Sequence, residues 1–198
     1  LQGALTQGFF DAVFSPYAGY LVVGPRLIGE TANLVPLDYA PAALAIVSAL
    51  VACLSGLAVW FAASGHVRNP YLRGALALAT AFCAVAGQET LDSAAYAPWY
   101  TLVATFWILF WRPRTMTGAV LGGLLVLLTG LSTPGVWFFL PIAFLRALAI
   151  RDRRDATIVG FYGVGAAVQI PVVLGQEQGD PLWVSEIWTG FMQRIVDA

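Results

Sequence analysis

The chain divides into apolar stretches joined by loops that are alternately rich in arginine and nearly free of it, and this alternation restricts the fold more than any single motif does. The stretches 40–63, 72–88, 96–111, 116–131, 134–150 and 156–174 approach the about 17–25 apolar residues a helix needs to cross a hydrocarbon core roughly 30 Å thick. Arg68 and Arg73 follow the first stretch, and Arg112 and Arg114 follow the third. Arg146, Arg151, Arg153 and Arg154 surround the end of the fifth. These are eight of the ten bases. The intervening loops reverse the sign. Glu89 and Asp92 lie in 89–95, the 131–134 turn is uncharged, and 175–198 carries Glu177, Asp180, Glu186 and Asp197 against Arg194 alone. Short basic loops stay cytoplasmic. Six alternating spans then place residues 1–39 and 175–198 on the same, external face.

Composition agrees. Mean hydropathy is +0.77, 59% of residues are hydrophobic and 11% are charged, against about a quarter charged in soluble domains. The expected fold is an all-α integral membrane protein with about six transmembrane helices and an external amphipathic interfacial helix near the amino terminus. Every base is arginine, and the Ala-, Gly-, Leu- and Val-rich composition points to a GC-rich bacterial genome, hence to the bacterial cytoplasmic (inner) membrane. Cys53 and Cys83, mid-span, read as buried small hydrophobes, and His66 as a solvated loop residue. No zinc or haem spacing is present. The start at Leu1 raises the expectation of a span upstream, and the polar end at Ala198 that of a portion downstream.

The spans carry packing signals. Ser48, Ala52 and Gly56 recur every four residues, as do Ala75, Ala79, Cys83 and Gly87, and Gly118 with Gly122; small residues at that spacing let helices approach closely in lipid. Ser132 or Thr133 can cap the helix opened by Pro134. Pro141 and Pro171 are expected to kink the last two spans. Gln169 needs a partner within the bundle, and gluing helices is its expected role.

Chemistry is expected on the external face. Phe9, Phe10, Val13 and Phe14 surround Asp11, and Ser15 to Tyr20 reads as a turn bearing Tyr17 and Tyr20. Gly24-Pro25 opens a helix to about Val35, which places Arg26, Glu30 and Asn33 on one stripe. Three polar groups on a stripe fit a helix lying in the headgroup interface. Arg26 and Glu30 can form a surface ion pair; alternatively, Arg26 binds a lipid phosphate while Asp11 or Glu30 serves as base or metal ligand. Glu89 and Asp92 add acids from the next external loop. Tyr96, Trp99, Tyr100, Trp183 and Trp188 read as an interfacial aromatic belt.

The runs PYAGYLVVGPRL (16–27), GQETLDSAAYAPWY (87–100) and GLSTPGVWFFLPIAFLRAL (130–148) resemble a group of bacterial multispanning proteins similar to the type C glycosyltransferase superfamily. That resemblance implies transfer of a sugar from a polyprenyl-phosphate donor outside the cytoplasmic membrane. It also implies a long external loop after a first span, here 1–39, with Asp11 at the position of the catalytic acid. The chain lacks an acidic doublet and has Ala97-Pro98 where the related group carries Asn.

Two functions follow from different classes. In the first, a membrane glycosyltransferase, an external carboxylate deprotonates the acceptor and Arg26 stabilises the departing lipid phosphate; converging acids would admit a divalent metal, and no other cofactor is implied. In the second, the chain is a non-catalytic accessory subunit of a larger membrane complex. A transporter would want ionisable residues at mid-span or an internal repeat, which the spans lack. The partners expected are membrane lipids, a polyprenyl-phosphate sugar or other membrane subunits, and no nucleic acid.

Overall fold

The computed structural model describes residues 8–17, 19–82 and 94–175, and all regular structure among them is helical. The α-helices are α1 (Phe9–Phe14), α2 (Val23–Glu30), α3 (Ala40–Ala62), α4 (Pro70–Ala81), α5 (Ala97–Phe110), α6 (Met116–Gly130), α7 (Leu140–Leu148) and α8 (Arg153–Gly175). Short 3-10 segments precede or extend several of them.

Local chemistry sets where these helices begin. Pro41, Pro70, Pro98 and Pro141 sit in first turns, where the missing N–H costs nothing. Side-chain caps accept the first free amides. Asn69 Oδ1 takes the Tyr71 N–H at 2.9 Å and Thr115 Oγ1 the Gly118 N–H at 3.1 Å. Thr133, one of the two expected caps, takes the Gly135 N–H at 3.1 Å. Asp152 Oδ1 takes both the Arg154 and Asp155 N–H groups, at 3.1 and 3.0 Å.

Among the described residues two helices are long and apolar enough to cross a membrane: the continuous stretch Leu37–Gly65 built on α3, and α8. Only 28% of the residues in the apolar window of each are buried. Ile46, Leu50, Leu54, Leu57 and Phe61 on α3 all point outward and are at least half exposed, the reverse of what a soluble core helix does with such side chains. The apolar helices Ala94–Phe110, Met116–Gly130 and Pro134–Leu148 are shorter.

Small residues set the contacts between helices. Gly130 of α6 meets Gly165 of α8 so closely that a Cβ on Gly130 would stand 2.8 Å from the Gly165 Cα. One further contact along the same pair is equally tight: a Cβ on Gly123 would collide with Phe161. Between α3 and α4 the row Ser48, Ala52 and Gly56 is buried as expected, and a Cβ on Gly56 would lie 2.7 Å from the Ala77 carbonyl. The companion row differs, because Ala75 and Ala79 are exposed and Ala77, Thr80 and Ala81 form the contact face instead; an alanine-rich helix offers several such rows, and packing selects one. Cys53 is likewise exposed on the outer face of α3, while Cys83 lies outside the described residues.

Polar side chains close the remaining joints. The Thr105 hydroxyl donates to Thr129 Oγ1 at 3.1 Å between α5 and α6, both residues being buried. Tyr162 donates to the Val136 carbonyl at 2.7 Å and Trp137 Nε1 to the Ala166 carbonyl at 3.2 Å, fixing the 3-10 segment Pro134–Phe139 to α8. Pro141 marks the passage from that segment into α7 rather than a bend inside a long helix, and Pro171 lies inside α8. Around these joints Ile108, Leu109, Val126, Val136 and Ile158 form the core.

Candidate functional site

Two ends of this bundle differ in chemistry. At one, α1, α2 and the turn between them dock onto the 131–133 turn and α8. The Val23 N–H donates to the Leu131 carbonyl at 3.2 Å, and the Gly24 N–H to Ser132 Oγ at 2.8 Å. A Cβ on Gly24 would fall 2.7 Å from that hydroxyl, so the close approach needs glycine there. Gln169 completes the joint. Fully buried on α8, it accepts the Leu21 N–H at 3.0 Å and donates to the Leu21 and Gly130 carbonyls at 3.2 and 3.0 Å. The gluing role expected of it matches this geometry, with the amino-terminal segment as one of the parts glued.

Between α1 and α2 the chain reverses. Tyr17 and Tyr20 pair through Tyr17 N–H to Tyr20 O at 2.8 Å and Tyr20 N–H to Tyr17 O at 3.2 Å. Gly19 sits at φ 92°, a left-handed conformation that glycine adopts without a Cβ penalty. The reversal places both tyrosines on a groove of about 210 Å³ whose other walls include Pro25, Trp99, Ser132 and Thr133. The groove combines aromatic faces with hydroxyls, of which those of Ser132 and Thr133 are already bonded to Gly24, Leu128 and Gly135. A smaller apolar cavity of about 190 Å³ lies beside it under α2, bounded by Leu27, Ile28, Val47 and Thr101.

The charged candidates are arranged as follows. Asp11 is exposed on α1. Arg26, half-buried, turns toward α1 and donates through Nη1 to the Ala12 carbonyl and the Ser15 hydroxyl, clamping the carboxyl end of that helix, where a cation is favourable. The anticipated surface pair with Glu30 is replaced by this clamp. Glu30 accepts instead from Asn33 Nδ2 at 2.9 Å, because the helix expected to run to about Val35 stops at Glu30 and continues as a 3-10 turn, Thr31–Leu34. Glu89 and Asp92 lie outside the described residues. Among the described residues no three His, Cys, Asp or Glu side chains converge to hold a metal. No protein-family model, curated protein or solved structure matches the chain.

The opposite end gathers the arginine loops. His66 Nε2 lies 3.1 Å from the Phe110 carbonyl, and Arg154 Nη1 donates to the Arg114 carbonyl at 2.7 Å. Arg146 Nη1 donates to the Ile108 and Leu109 carbonyls, both at 2.7 Å, and its Nη2 pairs with Asp155 at 2.9 Å. One buried guanidinium therefore satisfies the last carbonyls of α5 and joins α5, α7 and α8. Asp152 is held below the usual carboxylate range, first by the Asp155 N–H and then by Arg154. His66, Arg114, Arg146 and Asp155 border a larger cavity of about 660 Å³. The Arg146–Asp155 pair was not legible as a contact. Its only signal was an arginine at a span's end facing an acid in the next helix's first turn.

Proposed function

We propose that the chain is a multi-pass protein of the bacterial cytoplasmic membrane with about six spans, its amino-terminal segment lying along the external face. Among the described residues, the arginine loops gather at one end of the bundle, and the uncharged 131–134 turn with the segment that carries Asp11 and Glu30 lies at the other, which supports that sidedness. The shorter apolar helices reach across with their flanking turns and local thinning of the bilayer.

We further propose that it resembles type C glycosyltransferases in activity and transfers a sugar from a polyprenyl-phosphate donor at the external face. The observation behind this reading is the groove of Tyr17, Tyr20, Trp99, Ser132 and Thr133, built against a segment that carries an exposed carboxylate, Asp11. Asp11 takes the acceptor's hydroxyl proton as the acceptor oxygen bonds to the anomeric carbon. The bond from that carbon to the lipid phosphate breaks, and the polyprenyl phosphate leaves with the electron pair. Arg26 positions α1 and contributes its charge to the leaving phosphate; Glu30 is the second carboxylate candidate. Asp11→Asn in the full-length protein is expected to lower transfer from a polyprenyl-phosphate sugar by about 100- to 10,000-fold while leaving insertion unchanged.

A second reading, an accessory subunit of a membrane complex, is favoured by one observation: Arg26, Ser132 and Gln169 all spend hydrogen bonds on the chain itself. If Asp11→Asn, Glu30→Gln and Glu89→Gln each leave the cell's phenotype unchanged, the enzyme reading fails and the subunit reading stands.

A further inference from the structure

The 660 Å³ cavity at the arginine end is unused by the reading above, and its volume falls within the about 300–1,000 Å³ of small-molecule sites. We propose that it holds the phosphate headgroup of an anionic lipid of the inner leaflet. This rests on membrane insertion with the arginine loops inside, and is independent of sugar transfer.

Three observations carry the assignment. Arg112 and Arg114, from the loop between α5 and α6, line the cavity together with Arg146 of α7. Among the described residues the one carboxylate on its wall, Asp155, is already paired with Arg146, so the charge offered by Arg112 and Arg114 is uncompensated by that wall. Arg146 is nine-tenths buried with both terminal nitrogens engaged, so it fixes the wall beside which Arg112 and Arg114 stand. Apart from Ser64, His66 and Thr115 the rest of the wall is largely apolar, and Phe61 and Leu145, which border the cavity, are more than half exposed on the outer surface of α3 and α7.

Topology alone requires arginines in these loops; it does not require that they converge on a cavity. A free phosphate would gain from the guanidinium groups only. A lipid gains from these and from acyl contact with the apolar rim, and basic recesses between helices on the cytoplasmic side suit anionic headgroups.

The test is native mass spectrometry of the full-length protein with phosphatidylglycerol, phosphatidylcholine and inorganic phosphate as separate probes. Phosphatidylglycerol is expected to bind at least tenfold more tightly than phosphatidylcholine, and 10 mM inorganic phosphate to leave it in place. The double variant Arg112→Gln/Arg114→Gln is expected to lose that preference. Ser64→Trp, which fills the cavity rim without changing charge, is expected to weaken phosphatidylglycerol binding to a similar degree. The Arg68→Gln/Arg153→Gln control, with both changes outside the cavity lining, is expected to bind as the parent does. Equal loss in that control would overturn the site in favour of a diffuse field. Retained preference in both cavity variants would overturn it outright, and displacement by phosphate would overturn the lipid as its occupant.

Discussion

Gln169→Leu isolates what holds the amino-terminal segment on the bundle. Leucine is similar in size, so the change removes hydrogen bonds with little change in packing. Three are lost, to the N–H and carbonyl of Leu21 and to the carbonyl of Gly130. At roughly 0.6 kcal/mol per bond between helices in a membrane, they come to about 2 kcal/mol. The buried Leu21 N–H, left without an acceptor, raises the cost toward about 3 kcal/mol. At about 1.4 kcal/mol per tenfold, local opening of the segment becomes about 30- to 150-fold more frequent. Amide exchange by mass spectrometry on peptides covering Leu21 to Ile28 should accelerate by that factor, while peptides within α6 keep the parent's rate. Gln169→Glu should open the segment further at neutral pH, since a carboxylate faces two carbonyls it cannot donate to. A change under threefold at Leu21 in the leucine variant would refute the view that this residue anchors the segment.

Further outcomes follow from other joints. Gly130→Ala is expected to cost about 1–3 kcal/mol, since its Cβ would meet the Gly165 backbone, whereas Gly163→Ala, with nothing within 4 Å, should leave the thermal midpoint in detergent within a degree or two of the parent. Arg146→Met strands Asp155 in a buried site and should cost about 3–5 kcal/mol; adding Asp155→Leu should restore most of the loss in the same melts. Asp152, held below the usual carboxylate value by the Asp155 N–H and Arg154, stabilises the start of α8 above that value, and the contribution disappears as pH falls through its lowered one. Between pH 5 and pH 3 the parent should therefore lose more thermal stability than Asp152→Asn, which keeps a capping oxygen but does not titrate.

The helical character of the chain and the places where several helices begin were legible because they are written in features that act locally. Long apolar runs, proline in first turns and Thr133 before Pro134 each act within a few residues of themselves. Gln169 was legible for a similar reason, since a buried amide must find partners wherever they are. Its partner Leu21 was not, as the contact spans 148 positions and nothing in an apolar run marks which carbonyl is met. Arg26 and Glu30 share a helical stripe, yet Arg26 reaches back to Ala12 and Ser15, and the switch to 3-10 geometry after Glu30 moves Asn33 onto its carboxylate. Tyr17 and Tyr20 could be read as a turn, but their meeting with Trp99 and Ser132 depends on how that turn is docked. The basic cavity was hidden behind an explanation sufficient for its arginines one by one.

Sidedness underlies both proposals, and cysteine accessibility measures it directly. In a background of Cys53→Ala and Cys83→Ala, single replacements Leu34→Cys and Ser64→Cys put one thiol at an exposed position on each end of the bundle. A membrane-impermeant maleimide applied to intact spheroplasts is expected to label position 34 at once and position 64 only after permeabilisation. Labelling of position 64 in intact spheroplasts, with position 34 protected, would contradict the account.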